Sequence, residues 1–317
     1  MVQTPVLFET FARPDYARQV WNAIKASRPR SLYFYSNKAR EDKPDEIKRN
    51  EEIRSFIKEI DWDCDLHTWF REEYVDVYTS LKGAVDWVCD NEEAWIALEE
   101  DVVPTPAFFS FCDQMIEYYK DDLRVWNISG DNFLNINPSG YDYIFSHYHW
   151  MYGWATWRNR WKLIDWDDLN IEETIRSAVF DRLYKTKAQI EKAKDNIICH
   201  RAFLENSKCW DYVFSLVCDQ RNAVEVVPSK HLVTNIGLDG AHHKNGGKTI
   251  FNRESNYQGD TYHIINRPPF VLSDYEYDYE TNKGLERTEA SAIVWWLKSF
   301  LYSVGLYKVL RRLKKAL

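Results

Sequence analysis

Five short apolar runs, at residues 6–10, 31–35, 66–70, 94–98 and 124–128, alternate with helix-period segments through the first part of the chain. Strand-length runs joined by helix-length segments need crossover connections, and these build an α/β sheet with helices on its faces. Pro14 opens the first such segment, with Ala17, Val20, Trp21 and Ile24 on one face, and Pro29 closes it. Ile53, Phe56, Ile57 and Ile60 predict a second helix, and Leu81, Ala84, Val85 and Val88 a third; Pro104 or Pro106 starts a fourth that runs through Tyr119. The second half is less regular. Residues 131–153, rich in Asn, Tyr and His, read as a loop, 171–207 as mostly helical, 223–227 as a strand and 245–260 as a polar, glycine-bearing loop. Residues 275–281, acidic and aromatic, read as a linker, and no internal repeat interrupts the pattern.

Composition narrows the function. Of 317 residues, 45% are hydrophobic and 28% charged, so the chain has the means to bury a core. Residues 1–5 run straight into an apolar strand without a basic start, which predicts no signal peptide. The six cysteines show no Cys-x-x-Cys spacing, which predicts reduced thiols in a cytosolic protein rather than a zinc site. Glycine-rich phosphate loops are absent too: there is no Gly-x-Gly-x-x-Gly, and Gly246-Gly247-Lys248-Thr249 lacks the upstream glycine of a P-loop. Any nucleotide must be held by other means. Fourteen Trp and 20 Tyr serve either a heavily aromatic core or rings lining a sugar-binding groove.

Charge is unevenly placed. Residues 290–317 carry six basic residues (Lys298, Lys308, Arg311, Arg312, Lys314, Lys315) and no acid, which leaves 35 basic against 49 acidic residues in 1–289, a balance of −14. An acidic body repels polyanions, so no nucleic-acid partner is expected. The tail, with Trp295, Trp296, Phe300 and several leucines, reads either as a basic amphipathic helix at an anionic membrane surface or as a helix packed on the body. It is nearly long enough to span a bilayer, but Lys298 and Lys308 argue against that, and Gly305 against one continuous helix.

Four constellations could carry chemistry. Glu99-Glu100-Asp101 ends an apolar strand, where open α/β sheets bind ligands; the cluster suits a hard cation bridging a nucleotide diphosphate, or is a solvated acidic turn. In Trp210-Asp211-Tyr212, flanking rings would desolvate the acid and raise its proton affinity, as a general base needs, or Asp211 caps a helix. Trp154, Trp157 and Trp161 have the spacing of one helical face, either a core stripe or, at Trp154, a ring stacked on a sugar. Gly240-Ala241-His242-His243 is a small-residue turn whose histidines could reach metal or phosphate, or are solvated.

Taken in order, the motifs resemble bacterial glycosyltransferases of the GT-A fold, relatives of the N-acetylglucosaminyltransferase that starts complex N-glycan branching. The resemblance covers about residues 4–243 and rests on Phe11-Ala12-Arg13-Pro14, Leu98-Glu99-Glu100-Asp101 and Asn127-Ile128-Ser129-Gly130-Asp131-Asn132. It continues through Gly153-Trp154-Ala155-Thr156-Trp157, Trp210-Asp211-Tyr212 and Thr234-Asn235-Ile236-Gly237, with His242 following. It implies a Rossmann-like mixed sheet flanked by helices in one catalytic domain over 1–245; composition and charge add an irregular acidic and aromatic extension over 246–289 and a basic amphipathic helix over 290–317. The implied roles are Asp211 as catalytic base and Asp101 as the Mn²⁺ or Mg²⁺ ligand. Arg13, Glu99, Glu100 and His242 would bind the donor, with Glu99 on the sugar hydroxyls and Glu100 on the ribose, and Trp154 and Asp131 would lie on the acceptor side. The implied activity is metal-dependent transfer of a hexose or N-acetylhexosamine from a nucleotide-diphosphate sugar to a saccharide or lipid-linked acceptor, inverting; the basic, Trp-bearing tail suggests a cytoplasmic enzyme resting on the inner face of the membrane. A sugar-binding module with a structural cation site and a sugar nucleotidyltransferase are the alternatives. The chain departs from the family in reading Glu-Glu-Asp where Glu-Asp-Asp is more usual, and Ser36-Asn37-Lys38 where an aspartate to the base is usual.

Overall fold

The computed structural model describes residues 1–206, 209–237, 253–255, 257–289, 292–307 and 309. In chain order the elements are β1 (Val6–Thr10), α1 (Pro14–Ser27), β2 (Ser31–Ser36), α2 (Pro44–Arg54), β3 (Asp65–Phe70), α3 (Val77–Asn91), β4 (Ala94–Glu99), β5 (Val102–Pro104) and α4 (Pro106–Tyr119). They continue with β6 (Val125–Ser129), β7 (Tyr143–Ser146), β8 (Trp154–Trp157), α5 (Arg158–Trp161), α6 (Ile171–Arg176), α7 (Val179–Leu183) and α8 (Lys187–Asn206). Last come α9 (Trp210–Arg221), β9 (Val224–Pro228), β10 (Val233–Asn235), α10 (Tyr275–Glu289) and α11 (Ala292–Ser303).

The protein is an α/β fold built on an eight-stranded mixed sheet of order β3-β2-β1-β4-β8-β6-β9-β7, with a small second sheet of β5 and β10. Strands β1 to β4 are mutually parallel, while β8 runs antiparallel to both β4 and β6. Alternation along the strands divides the core in two. Val6, Phe8, Leu32, Phe34, Ile96 and Leu98 face α1 and α4; Leu7, Tyr33, Tyr35, Trp95 and Ala97 face α3 and α9. Both faces are covered, so the central strands read as unbroken apolar runs.

Four expectations change. The segment of Trp154 and Trp157 is strand β8, not a helix. An odd separation along a strand sends side chains to opposite faces, so Trp154 packs with Trp210 and Phe214 while Trp157 joins the other cluster and donates its indole N–H to the Ile116 carbonyl. Three- and four-residue spacing of aromatics cannot separate a helix from a strand buried on both faces. The second expected helix ends at Arg54, with a 3-10 turn at Ser55–Glu59 carrying Phe56 into the core. The 131–153 loop contains β7, all four of whose residues are buried. The expected linker is α10, whose first turn Asp274 secures by accepting from the Glu276 and Tyr277 N–H groups, and whose Tyr277 packs on Ile144 and Val227.

The aromatic surplus is chiefly core: Trp21, Trp95, Trp126, Trp154 and Trp161 are fully buried. Cys89, Cys112 and Cys218 are buried, and with Cys64 and Cys209 they are free thiols. Among the described residues no helix is long and apolar enough to cross a membrane.

Candidate active site

The chain lays down β1, β2 and β3 in one direction, then returns to the far side of β1 for β4. Parallel sheets bind ligands at such a reversal, beyond the carboxyl ends of the strands. Glu9 and Glu99 are register partners in the last turn of this crevice, and Glu100 and Asp101 form the turn into β5. The acidic motif therefore stands at the switch point.

Arg13, in the loop after β1, clamps the turn: Nε donates to Glu100 Oε1 and Nη1 to Asp101 Oδ2, each at 2.8 Å. The Phe11 N–H donates to Glu100 Oε2 at 2.7 Å. Glu100 is buried, with both oxygens already accepting hydrogen bonds inside the protein, so it is not presented free to accept from a ribose hydroxyl. Arg13 is likewise committed to the turn rather than presented free to a phosphate. Asp101 keeps a partly open carboxylate, 13% exposed. Over it passes the chain after β10, which pairs antiparallel with β5; the Ile236 N–H donates to the Asp101 carbonyl at 2.9 Å. A Cβ on Gly237 would lie 1.5 Å from Asp101 Oδ2, so any side chain there would displace the Asp101 carboxylate.

Glu99 titrates at about 8, raised first by burial and then by Asp101, Asp211 and Glu100, with Arg13 pulling the other way. Asp211, distant in sequence, lies near enough for its charge to act on Glu99. Tyr152 connects the two sides: Glu99, Asp131, Asp211 and Asp101 all bear on its phenol, whose ionisation burial suppresses. Tyr152 directly precedes the Gly153-Trp154-Ala155-Thr156-Trp157 motif, and its place was not legible in the sequence. The only signal is Gly153 beside it, whose φ of +70° swings the chain into β8.

Asp211 sits in the first turn of α9, exposed, with Oδ1 accepting from the Tyr212 N–H at 2.9 Å and the Cys209 thiol at 2.6 Å. The rings around it do not desolvate it: Trp210 turns into the core against Trp154, and Tyr212 packs toward Phe180, Ile197 and Leu216. Nor does it cap the helix, since Cys209 holds the N-cap position. Its carboxylate is open to a substrate. Asp131 is buried, pushed far above the usual carboxylate range, with Oδ2 accepting from Ser129 Oγ and Oδ1 without a partner. Trp154, 1% exposed, is a core ring and not a platform for a sugar. Losing a buried tryptophan costs about 3–5 kcal/mol, which accounts for its presence without a ligand. His242 and its neighbours Gly240, Ala241 and His243 lie outside the described residues.

On the β2 side, Asn37 is occupied by its own loop, Nδ2 donating to the Val75 carbonyl and Oδ1 accepting from the Lys38 N–H, both at 2.9 Å. Tyr74 is exposed there, 6.0 Å from the Phe11 ring. Among the described residues no three His, Cys, Asp or Glu side chains are grouped to hold a metal ion. Asp101 supplies one partly open carboxylate of the hard-oxygen kind that a divalent cation takes, with Oδ2 bonded to Arg13. No family model matches the chain, and no curated protein does.

The Glu99 environment gives one expected result. In the unfolded chain its carboxyl titrates near the model value of 4.5, and in the fold near 8. Between these the folded state holds a proton that unfolding releases, so stability falls as pH rises through this window. Glu99→Gln removes that dependence. Its melting temperature relative to wild type should rise from pH 5 to pH 9; a constant difference would show that Glu99 ionises normally.

Proposed function

We propose that the protein is a GT-A glycosyltransferase moving a hexose or N-acetylhexosamine from a nucleotide-diphosphate sugar to a hydroxyl of a saccharide or lipid-linked acceptor. The observation that carries the reading is the convergence of Asp211 with Glu99 and Asp101 around Tyr152, at the carboxyl ends of parallel strands. The sheet order and the short β5–β10 sheet directly after the acidic turn support it as well.

Asp211 would accept the proton of the acceptor hydroxyl as its oxygen bonds to the anomeric carbon. The bond from that carbon to the diphosphate breaks at the same time, its electron pair leaving with the nucleoside diphosphate. One base facing the acceptor and no nucleophile assigned to the protein fits direct displacement with inversion. Mn²⁺ or Mg²⁺, held at Asp101, would neutralise the departing diphosphate. Arg13 keeps Glu100 and Asp101 in register for this, and Glu99 would hydrogen-bond a sugar hydroxyl. Phe11 and Tyr74 offer ring faces to a base beside the crevice. A membrane-borne acceptor such as lipopolysaccharide would place the enzyme peripherally on the inner face of the membrane.

The test is turnover. Incubated with Mn²⁺ and a panel of nucleotide sugars, the protein should release nucleoside diphosphate from at least one. Binding without release across the panel would instead favour a sugar-binding module.

A further inference from the structure

The C-terminal helix has two unlike sides. Tyr302, 7% exposed, is its anchor: its hydroxyl donates to Asp195 Oδ2 on α8 at 3.1 Å, and α11 packs along α8. Trp296, Leu297 and Phe300, one to four residues apart, are 60%, 46% and 51% exposed and form one outward stripe, with the Trp296 and Phe300 rings stacked at 5.9 Å.

Gly305, with φ of +75°, stops the helix. Its N–H donates to the Tyr302 carbonyl and the Leu306 N–H to that of Leu301, the paired bonds of a Schellman cap. The helix is broken at Gly305, the residue that argued against one continuous helix, and Val304, Leu306 and Val309 beyond the stripe are exposed as well. Twelve residues reach about 18 Å, short of the roughly 30 Å of a bilayer core. Such a helix lies on a membrane and does not cross it.

We propose that this stripe of α11 docks on a bilayer carrying anionic headgroups. The argument is charge complementarity. Residues 290–317 hold six basic groups and no acid, Lys298 is exposed on the same helix, and the rest of the chain carries −14. An anionic surface attracts this segment and repels the body, which orients the molecule as it docks. A second copy would carry the same six positive charges in this segment of the sequence, and like charge disfavours self-association through it. The proposal does not rest on the glycosyltransferase reading.

The experiment is co-sedimentation of the full-length protein with vesicles of phosphatidylcholine alone or with 30% phosphatidylglycerol, beside light scattering for its mass. The protein should be monomeric, bind only the anionic vesicles, and bind them more weakly as salt rises. The double variant Trp296→Ser, Phe300→Ser, whose changed side chains are exposed, should keep its circular dichroism and bind about tenfold or more weakly. No binding of folded wild-type protein to anionic vesicles would overturn the proposal. So would full binding by the folded double variant, or a wild-type dimer that this variant dissociates. Loss of vesicle binding with nucleoside diphosphate release retained would separate this surface from the catalytic site.

Discussion

Replacing Asp211 with asparagine should slow sugar transfer by about 10²–10⁴-fold, the range a positioned general base contributes. The amide keeps the size of the carboxylate, and its oxygen can still accept from the Tyr212 N–H, so the first turn of α9 should hold its shape. What it loses is the ability to take a proton from the attacking hydroxyl. Asp211 is exposed, and among the described residues its carboxylate is hydrogen-bonded only at its own helix start. Donor affinity, set on the Asp101 side of Tyr152, should stay within a factor of about two of wild type. Steady-state kinetics beside a donor titration distinguishes the cases. Near-normal turnover would remove Asp211 from the mechanism, and an equal loss of donor affinity would move it to the donor side.

Replacing Asp101 with alanine should have the other signature. A charge-assisted contact is worth about 1.5–3 kcal/mol, so donor binding in the presence of Mn²⁺ should weaken about 10–100-fold, and its response to the cation should vanish. The turn should survive, because Glu100 keeps both Arg13 and the Phe11 N–H. Calorimetry with and without Mn²⁺ reads this directly. An unchanged cation response in the variant would place the metal elsewhere. A folded wild type that binds donor equally well without cation would indicate that Arg13, already bonded to Asp101, neutralises the site by itself.

The parallel strands were legible in the sequence because each is an apolar run followed by a segment with a clear helical face. Proline marked the starts of α1 and α4, where its fixed φ suits the first turn. Strand β8 was not legible: it is buried on both faces, so its aromatics carry no alternation. Strands β5 and β10, three residues each, are too short for any periodicity, yet they bring Gly237 over Asp101. At the site, the position of the acidic motif followed from its strand. The commitments of its side chains did not, because they depend on partners remote in sequence. Arg13 and Glu100 satisfy each other, and Trp154 finds Trp210 in the core. The exposure of Asp211 follows from both its flanking rings having partners elsewhere.

Diffraction from crystals grown with Mn²⁺ and a nucleoside diphosphate tests the account most directly. An anomalous manganese peak against the Asp101 carboxylate, with the diphosphate beside it and the open side facing Asp211, is the predicted result. Manganese and diphosphate bound together away from the turn after β4 would contradict it.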